Sequence, residues 1–256
     1  MIHAPALLDY LLRLADNDLV LAQRLGEWVG KGPVIEEDIA STNVGLDLLG
    51  QARLWYGYAG EVEARASGQG RDEDAFAFHR DAHQFRNLLL CEQPNGHYGD
   101  TIARQFLFDQ WHVLLLRALT RSTDGRIAEI AAKAVKEATY HAERSADWVL
   151  RLGDGTEVSH ARMQAAIDDL WMYTGELFTP GAGDAALVDA GIAVDVATLK
   201  GPWGEAVGAL LAEATLARPA DGWMQQGGIR GVHTEHLGHL LATLQFLPRA
   251  YPEARW

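Results

Sequence analysis

Residues 5–28 read PALLDYLLRLADNDLVLAQRLGEW, and this stretch decides the fold class. Leu7, Leu11, Leu14, Leu21, Leu25 and Trp28 recur at helical spacing, with Leu8, Leu12 and Leu19 widening the stripe. Pro5 stands where a first helical turn tolerates it, and Gly30 and Gly32-Pro33 end the run. The same period returns in residues 36–66, 100–120 and 126–152, while alternation of period two is nearly absent. The pattern predicts an all-α protein in which these long helices form a four-helix bundle.

Shorter elements fill the rest. A helix is expected over 72–91, ended by Gln93-Pro94-Asn95-Gly96, and another over 160–178 with Ser159 as its cap. Beyond the break at 179–183 come a short helix over 184–190, a possible extended piece at 192–194 and a longer helix over 196–216. A glycine-rich loop at 218–231 precedes a last helix over 232–250. Gly45, Gly50, Gly57 and Gly60 fall inside the second long helix, where each costs roughly 1 kcal/mol against alanine, so close approach by another helix is expected there. No repeat or linker interrupts the chain, and residues 1–256 read as a single helical domain.

Composition narrows the function. An apolar share of 48% supports a core and excludes a disordered chain. With 22 Lys and Arg against 35 Asp and Glu, the net charge of −13 repels phosphate backbones, and no basic stripe offsets it, so no nucleic-acid partner is expected. Cys91 stands alone and excludes an intrachain disulfide or a multi-cysteine zinc site. The start Met1-Ile2-His3-Ala4-Pro5 lacks the pattern of a secretory signal, and no apolar run approaches the ~18 residues of a membrane span. A cytoplasmic protein without a membrane partner is the expectation.

Helical bundles can host a carboxylate-bridged di-iron site, with Glu-x-x-His pairs that aim both side chains at the same ions. Here the one literal pair, Glu157 with His160, falls at a turn, where capping or chance explains it. Asp109-Gln110-Trp111-His112 is a variant inside a helix. Acids with a buried look occur once on each long helix: Asp18, Asp47 between leucines, Asp109, and Glu137 ahead of His141. For any one of them, a salt bridge with an arginine such as Arg53 or Arg104 would suffice. A histidine three residues after Asp47 is replaced by Gly50, and a glutamate three before His141 by Ala138.

Residues 43–53 (NVGLDLLGQAR), 87–90 (NLLL), 92–96 (EQPNG), 100–105 (DTIARQ) and 233–238 (HTEHLG) together resemble the C-subunit family (PaaC) of bacterial 1,2-phenylacetyl-CoA epoxidases, over nearly the whole chain. The resemblance implies a ferritin-like fold and a catalytically silent subunit that supports a related A subunit. That A subunit holds the di-iron centre, and a separate reductase subunit with flavin and iron–sulfur groups delivers electrons from NADPH. The complex epoxidises the ring of phenylacetyl-CoA with O2. Set against the catalytic sister, Asp18, Asp47, Gly50, Asp109, Ala138 and His141 stand at positions that resemble its ligands. Gly50 and Ala138 remove an imidazole and a carboxylate, which outer-sphere groups cannot replace.

The resemblance also associates Gln84, Phe85, Arg86 and Asn87, and more loosely Ala185, Ala186 and Leu187, with acyl-CoA. Gln84, Arg86 and Asn87 carry donors suited to phosphate and amide groups, and a solvated helix face is the plain alternative for both segments. The enzyme-class rival is a metal-dependent oxygenase with its own unusual centre built from Asp18, Asp47, Asp109, Glu137, His112 and His141.

Overall fold

In the computed structural model, which describes residues 4–254, the N-terminal stripe forms α1 (Ala4–Gly26) and buries Leu7, Leu11, Leu14, Leu19, Leu21 and Leu25. The following helices are α2 (Ile35–Ser67), α3 (Glu73–Phe78), α4 (Tyr98–Leu119), α5 (Gly125–Gly153), α6 (Glu157–Trp171), α7 (Asp184–Asp189), α8 (Lys200–Glu213), α9 (Glu235–Leu244) and α10 (Phe246–Ala250). The described residues contain no strand, and none of their helices is long and apolar enough to cross a membrane. The chain divides into two compact units, residues 1–93 with 181–183 and 227–256, and residues 94–180 with 184–226.

In the first unit α1 packs along α2. Glu36, Glu37 and Asp38 in the first turn of α2 face the positive end of the helix dipole. Gly68 ends it with φ of 83° and returns its N–H to the Ala64 carbonyl, a left-handed stop suited to glycine. Of the interior glycines, Gly45 alone lies against a neighbouring helix, at Leu25 and Ala22 of α1. Gly60 is required for another reason, since a Cβ there would collide with the Arg71 carbonyl where the chain turns back. Gly50 and Gly57 have open space, so the expected helix contact does not account for them.

The helix expected over 72–91 is cut short. Asp72 caps α3 by accepting the Ala75 N–H at 2.8 Å, but after Phe78 only the 3-10 turn Ala82–Gln84 is helical. The reason lies in α1. Asp16 takes the Arg86 N–H at 2.7 Å and Asn17 takes the Leu88 N–H at 2.8 Å, so these amides serve side chains instead of carbonyls one turn back. The last helix also differs, splitting into α9 and α10. Pro248 has no N–H to return to Leu244, and its ring would crowd that carbonyl. Gln245, at the break, donates to the Ala77 and Arg80 carbonyls at 2.9 and 3.0 Å and ties the C-terminal helices to the turn after α3.

In the second unit α4 packs against α5, α6 and α8, and Trp203 of α8 donates its indole N–H to the Leu107 carbonyl at 3.1 Å. Asp124 caps α5 by accepting the Arg126 and Ile127 amides. The cap of α6 is Thr156, with Ser159 as its reciprocal partner three residues on, so the helix starts earlier than expected. It also ends earlier, at Trp171, and a 3-10 segment (Thr174–Phe178) follows, where Met224 packs too tightly on Gly175 for a side chain. Residues 192–194 are not extended: the amides of Ile192 and Ala193 both turn to the Leu187 carbonyl, at 2.8 and 3.2 Å. The helix expected over 196–216 begins as a 3-10 turn (Val196–Leu199) and continues as α8, whose first turn holds Pro202.

Candidate functional site

Three successive polar residues, Asp16, Asn17 and Asp18, are all buried on α1. Asp16 accepts both Nη groups of Arg80, the Tyr56 hydroxyl and the Arg86 amide. Burial raises the Tyr56 pKa well above its usual 10, reinforced by the charge of Asp16. The guanidinium of Arg80 also lies over the Phe85 ring, 4.2 Å from its centroid. This cluster fixes the irregular segment that carries residues 84–87.

A second buried carboxylate closes the other end of that segment. Glu92 accepts the Thr234 amide (2.6 Å) and hydroxyl (2.8 Å), the Asn87 side-chain N–H (2.9 Å) and His233 Nδ1 (2.8 Å). Its own carbonyl takes Arg24 Nη2 at 2.6 Å, and the same guanidinium reaches the His236 carbonyl at 3.3 Å. These bonds set the start of α9, which therefore begins later than the sequence suggests.

The opposite edge of the His233 ring, Nε2, lies 3.0 Å from the Phe85 carbonyl. Both ring nitrogens face oxygens, an arrangement that favours the doubly protonated ring, in which both donate. Burial alone would lower its pKa, but the hydrogen bond and charge of Glu92, the Phe85 carbonyl and the charge of Asp16 raise it above 6.5. A raised pKa stabilises the fold fully below the unfolded value, and that contribution disappears as pH rises through the folded one. His233→Asn should therefore cost roughly 1–2 kcal/mol at pH 6, with the gap from wild type narrowing in alkaline buffer. Urea unfolding of both proteins across pH checks this; a gap that stays constant or widens with pH would refute the charged ring.

The residues singled out for acyl-CoA contact are placed as follows. Gln84 is exposed and its side-chain oxygen accepts the Asp81 amide at 2.8 Å. Phe85 is buried. Arg86 is half-buried, pairs with Asp9 at 3.3 Å and donates to the His83 and Phe85 carbonyls. Asn87 is buried on Glu92. In the second unit Ala185 and Ala186 of α7 are exposed and Leu187 is buried.

The ligand-like positions are equally mixed. Asp18, Asp109, His112 and His141 are buried, as is Ala138, while Glu137 is half-buried. Burial raises the Asp109 pKa to about 7, although Ser145, Arg144 and Arg104 pull it down. Burial and the neighbouring charge of His141 lower the His112 pKa to about 3. Asp47 is a correction: it is half-buried, and of the leucines that made it look buried Leu48 alone is buried while Leu46 and Leu49 are exposed. Arg53, one of its expected partners, pairs with Glu73 at 3.4 Å.

Gly50 is exposed, with open space where a side chain would stand. Among the described residues no group of three or more His, Cys, Asp or Glu side chains is placed to hold a metal ion. Gly50 and Ala138, two of the positions compared with the ligands of the catalytic sister, carry no side-chain donor atom. His160, of the literal Glu-x-x-His, binds the Gly153 carbonyl at 2.8 Å and belongs to the α5–α6 turn.

Asp16, Tyr56, Arg80 and His233 are not distinguished by residue chemistry in the sequence. The interruption of a leucine-rich helix by Asp16-Asn17-Asp18 is the signal that points to them. The described residues are all-helical, with long helices packed side by side, α1 along α2 and α4 along α5, as in proteins of the ferritin-like helical class. Similarity to known proteins agrees: the family model described as phenylacetic acid catabolic protein matches residues 2–256. The C subunit of the 1,2-phenylacetyl-CoA epoxidase of Escherichia coli (strain K12) is 53% identical over 247 residues, covering 96% of this chain and 98% of that protein. The chain belongs to the phenylacetic acid catabolic protein family.

Proposed function

We propose that this chain is a non-catalytic structural subunit of a phenylacetyl-CoA 1,2-epoxidase in aerobic phenylacetate catabolism, binding and stabilising the catalytic A subunit. The observation that carries the reading is the end-to-end identity of 53% with the C subunit of such an epoxidase. The residue chemistry at Gly50 and Ala138 adds to it. On this reading the di-iron centre belongs to the A subunit, and NADPH, flavin and iron–sulfur chemistry to a reductase subunit of the same cytoplasmic complex. Residues 84–87 and 185–187 contribute to acyl-CoA binding chiefly as backbone and scaffold, since Asn87 and Arg86 are held by internal partners.

Co-expression with the A subunit tests the proposal. The expected result is a stable complex, with iron and ring-epoxidising turnover following the A subunit and no iron accompanying this chain purified alone. About two irons in the isolated chain, with turnover in the absence of the A subunit, would establish the metal-dependent oxygenase instead.

A further inference from the structure

Helix α2 has two apolar seams, and one of them is uncovered. The buried line runs through Ser41, Val44, Leu48, Gln51, Trp55 and Val62, and α1 packs along α2. Two residues off this register, about 200° around the helix, runs Ile35, Ile39, Thr42, Leu46 and Leu49. Ile35 is 72% exposed, Ile39 56%, Leu46 60% and Leu49 40%. A surface helix ordinarily carries polar residues on the side away from its core, so four large aliphatic side chains in one outward line need a cover.

The spacing says what the cover is. Steps of four, three, four and three form a heptad seam, whose side chains insert between those of a facing α-helix. Beside the seam lies a cleft of about 310 Å³ lined by Leu19, Ala22, Gly26, Gly45, Leu46 and Leu49. Gly26 and Gly45 keep its walls low enough for a partner to approach closely.

Charge selects the occupant. Glu36, Asp38 and Asp47 flank the seam, and Arg53 at its far end pairs with Glu73. A second copy would add a chain of net charge −13 and offer this acidic end little positive charge. We propose that the outward seam of α2 and its cleft dock an amphipathic helix of another subunit, one whose apolar line is flanked by lysine or arginine. This inference rests on the reading of the chain as a subunit of an assembly.

The test uses the full-length chain co-expressed with the A subunit, as wild type and as the double variant Leu46→Glu with Leu49→Glu. Both side chains are exposed in the chain itself, so its helix content and unfolding temperature should be retained. The expected result is a loss of affinity for the A subunit of at least about a hundredfold. Glu36→Lys should weaken binding less and reduce its salt dependence. A wild-type complex whose affinity the leucine variant leaves unchanged would overturn the docking surface while the subunit reading stands. Failure of the wild type to bind the A subunit would overturn both. If sedimentation shows the isolated chain as a dimer that the leucine variant dissociates, with A-subunit binding intact, the occupant is a second copy and the proposal is wrong.

Discussion

Asp16→Ala should cost about 3–5 kcal/mol of folding stability, the largest loss expected from one substitution in this chain. Asp16 is fully buried and is the common acceptor for Arg80, Tyr56 and the Arg86 amide. Its removal leaves the guanidinium of Arg80 buried without the carboxylate that neutralises it. Arg80 cannot escape by losing its proton. Burial opposes its charge, but the charges and hydrogen bonds of Asp16 and Tyr56 raise its pKa further, and even without them an arginine stays protonated. The aromatic face of Phe85 compensates for only part of the lost pairing. Because Asp16 also holds the Arg86 amide, hydrogen exchange at Arg86 should accelerate together with that at neighbouring Leu88. Asp9→Ala is the control: Asp9 sits on the same helix, is 39% exposed and pairs with Arg13 and Arg86, so its loss should cost under about 1 kcal/mol. Chemical denaturation of the two variants decides the matter. An Asp16→Ala protein within about 1 kcal/mol of wild type would show that the cluster is not what holds residues 80–93.

Helix positions are legible wherever local periodicity and packing agree. The leucine line of α1 and the long runs of α2, α4 and α5 give ends within a few residues of those observed, because capping residues and glycines lie next to the periodic stretch. The reading fails over 79–91 and at the start of α9. There the backbone is claimed by Asp16, Asn17 and Glu92, which lie far away in sequence: Arg86 is 70 residues from Asp16, and Thr234 is 142 residues from Glu92. No window of local pattern contains both partners.

The candidate site divides in the same way. Asp18 and Asp109 look buried in the sequence, and they are, whereas Glu137, read the same way, is half-buried and the buried group of that pair is His141. Asp47 looks buried from its leucine neighbours, but on α2 apolar residues mark two opposite sides. Flanking hydrophobicity therefore does not say which side faces the core. What misplaces Asp47 in the sequence is the same property that makes the helix a candidate docking surface.

Asp109→Asn should make the isolated chain more stable at and above neutral pH, by on the order of 1–3 kcal/mol. Asp109 is buried on α4, and its Oδ1 accepts no hydrogen bond from the described residues. Burial lifts its pKa from 3.8 to about 7 against the pull of Ser145, Arg144 and Arg104. The folded state therefore keeps a proton that the unfolded chain releases. Between pH 3.8 and about 7 the folded state binds more protons, so stability falls as pH rises and levels off above that window. Asparagine keeps the shape without titrating. The variant should match wild type near pH 4 and gain on it steadily up to about pH 7. His112 has the opposite dependence, since its lowered pKa of about 3 makes the unfolded state the better proton binder below 6.5. Both proteins contain His112, so taking the difference between them at each pH largely removes that contribution. Thermal unfolding from pH 4 to 9 provides the measurement. An asparagine variant less stable than wild type at pH 8 would mean that Arg104 and Arg144 hold the carboxylate ionised and that Asp109 is a stabilising member of an ion-pair network.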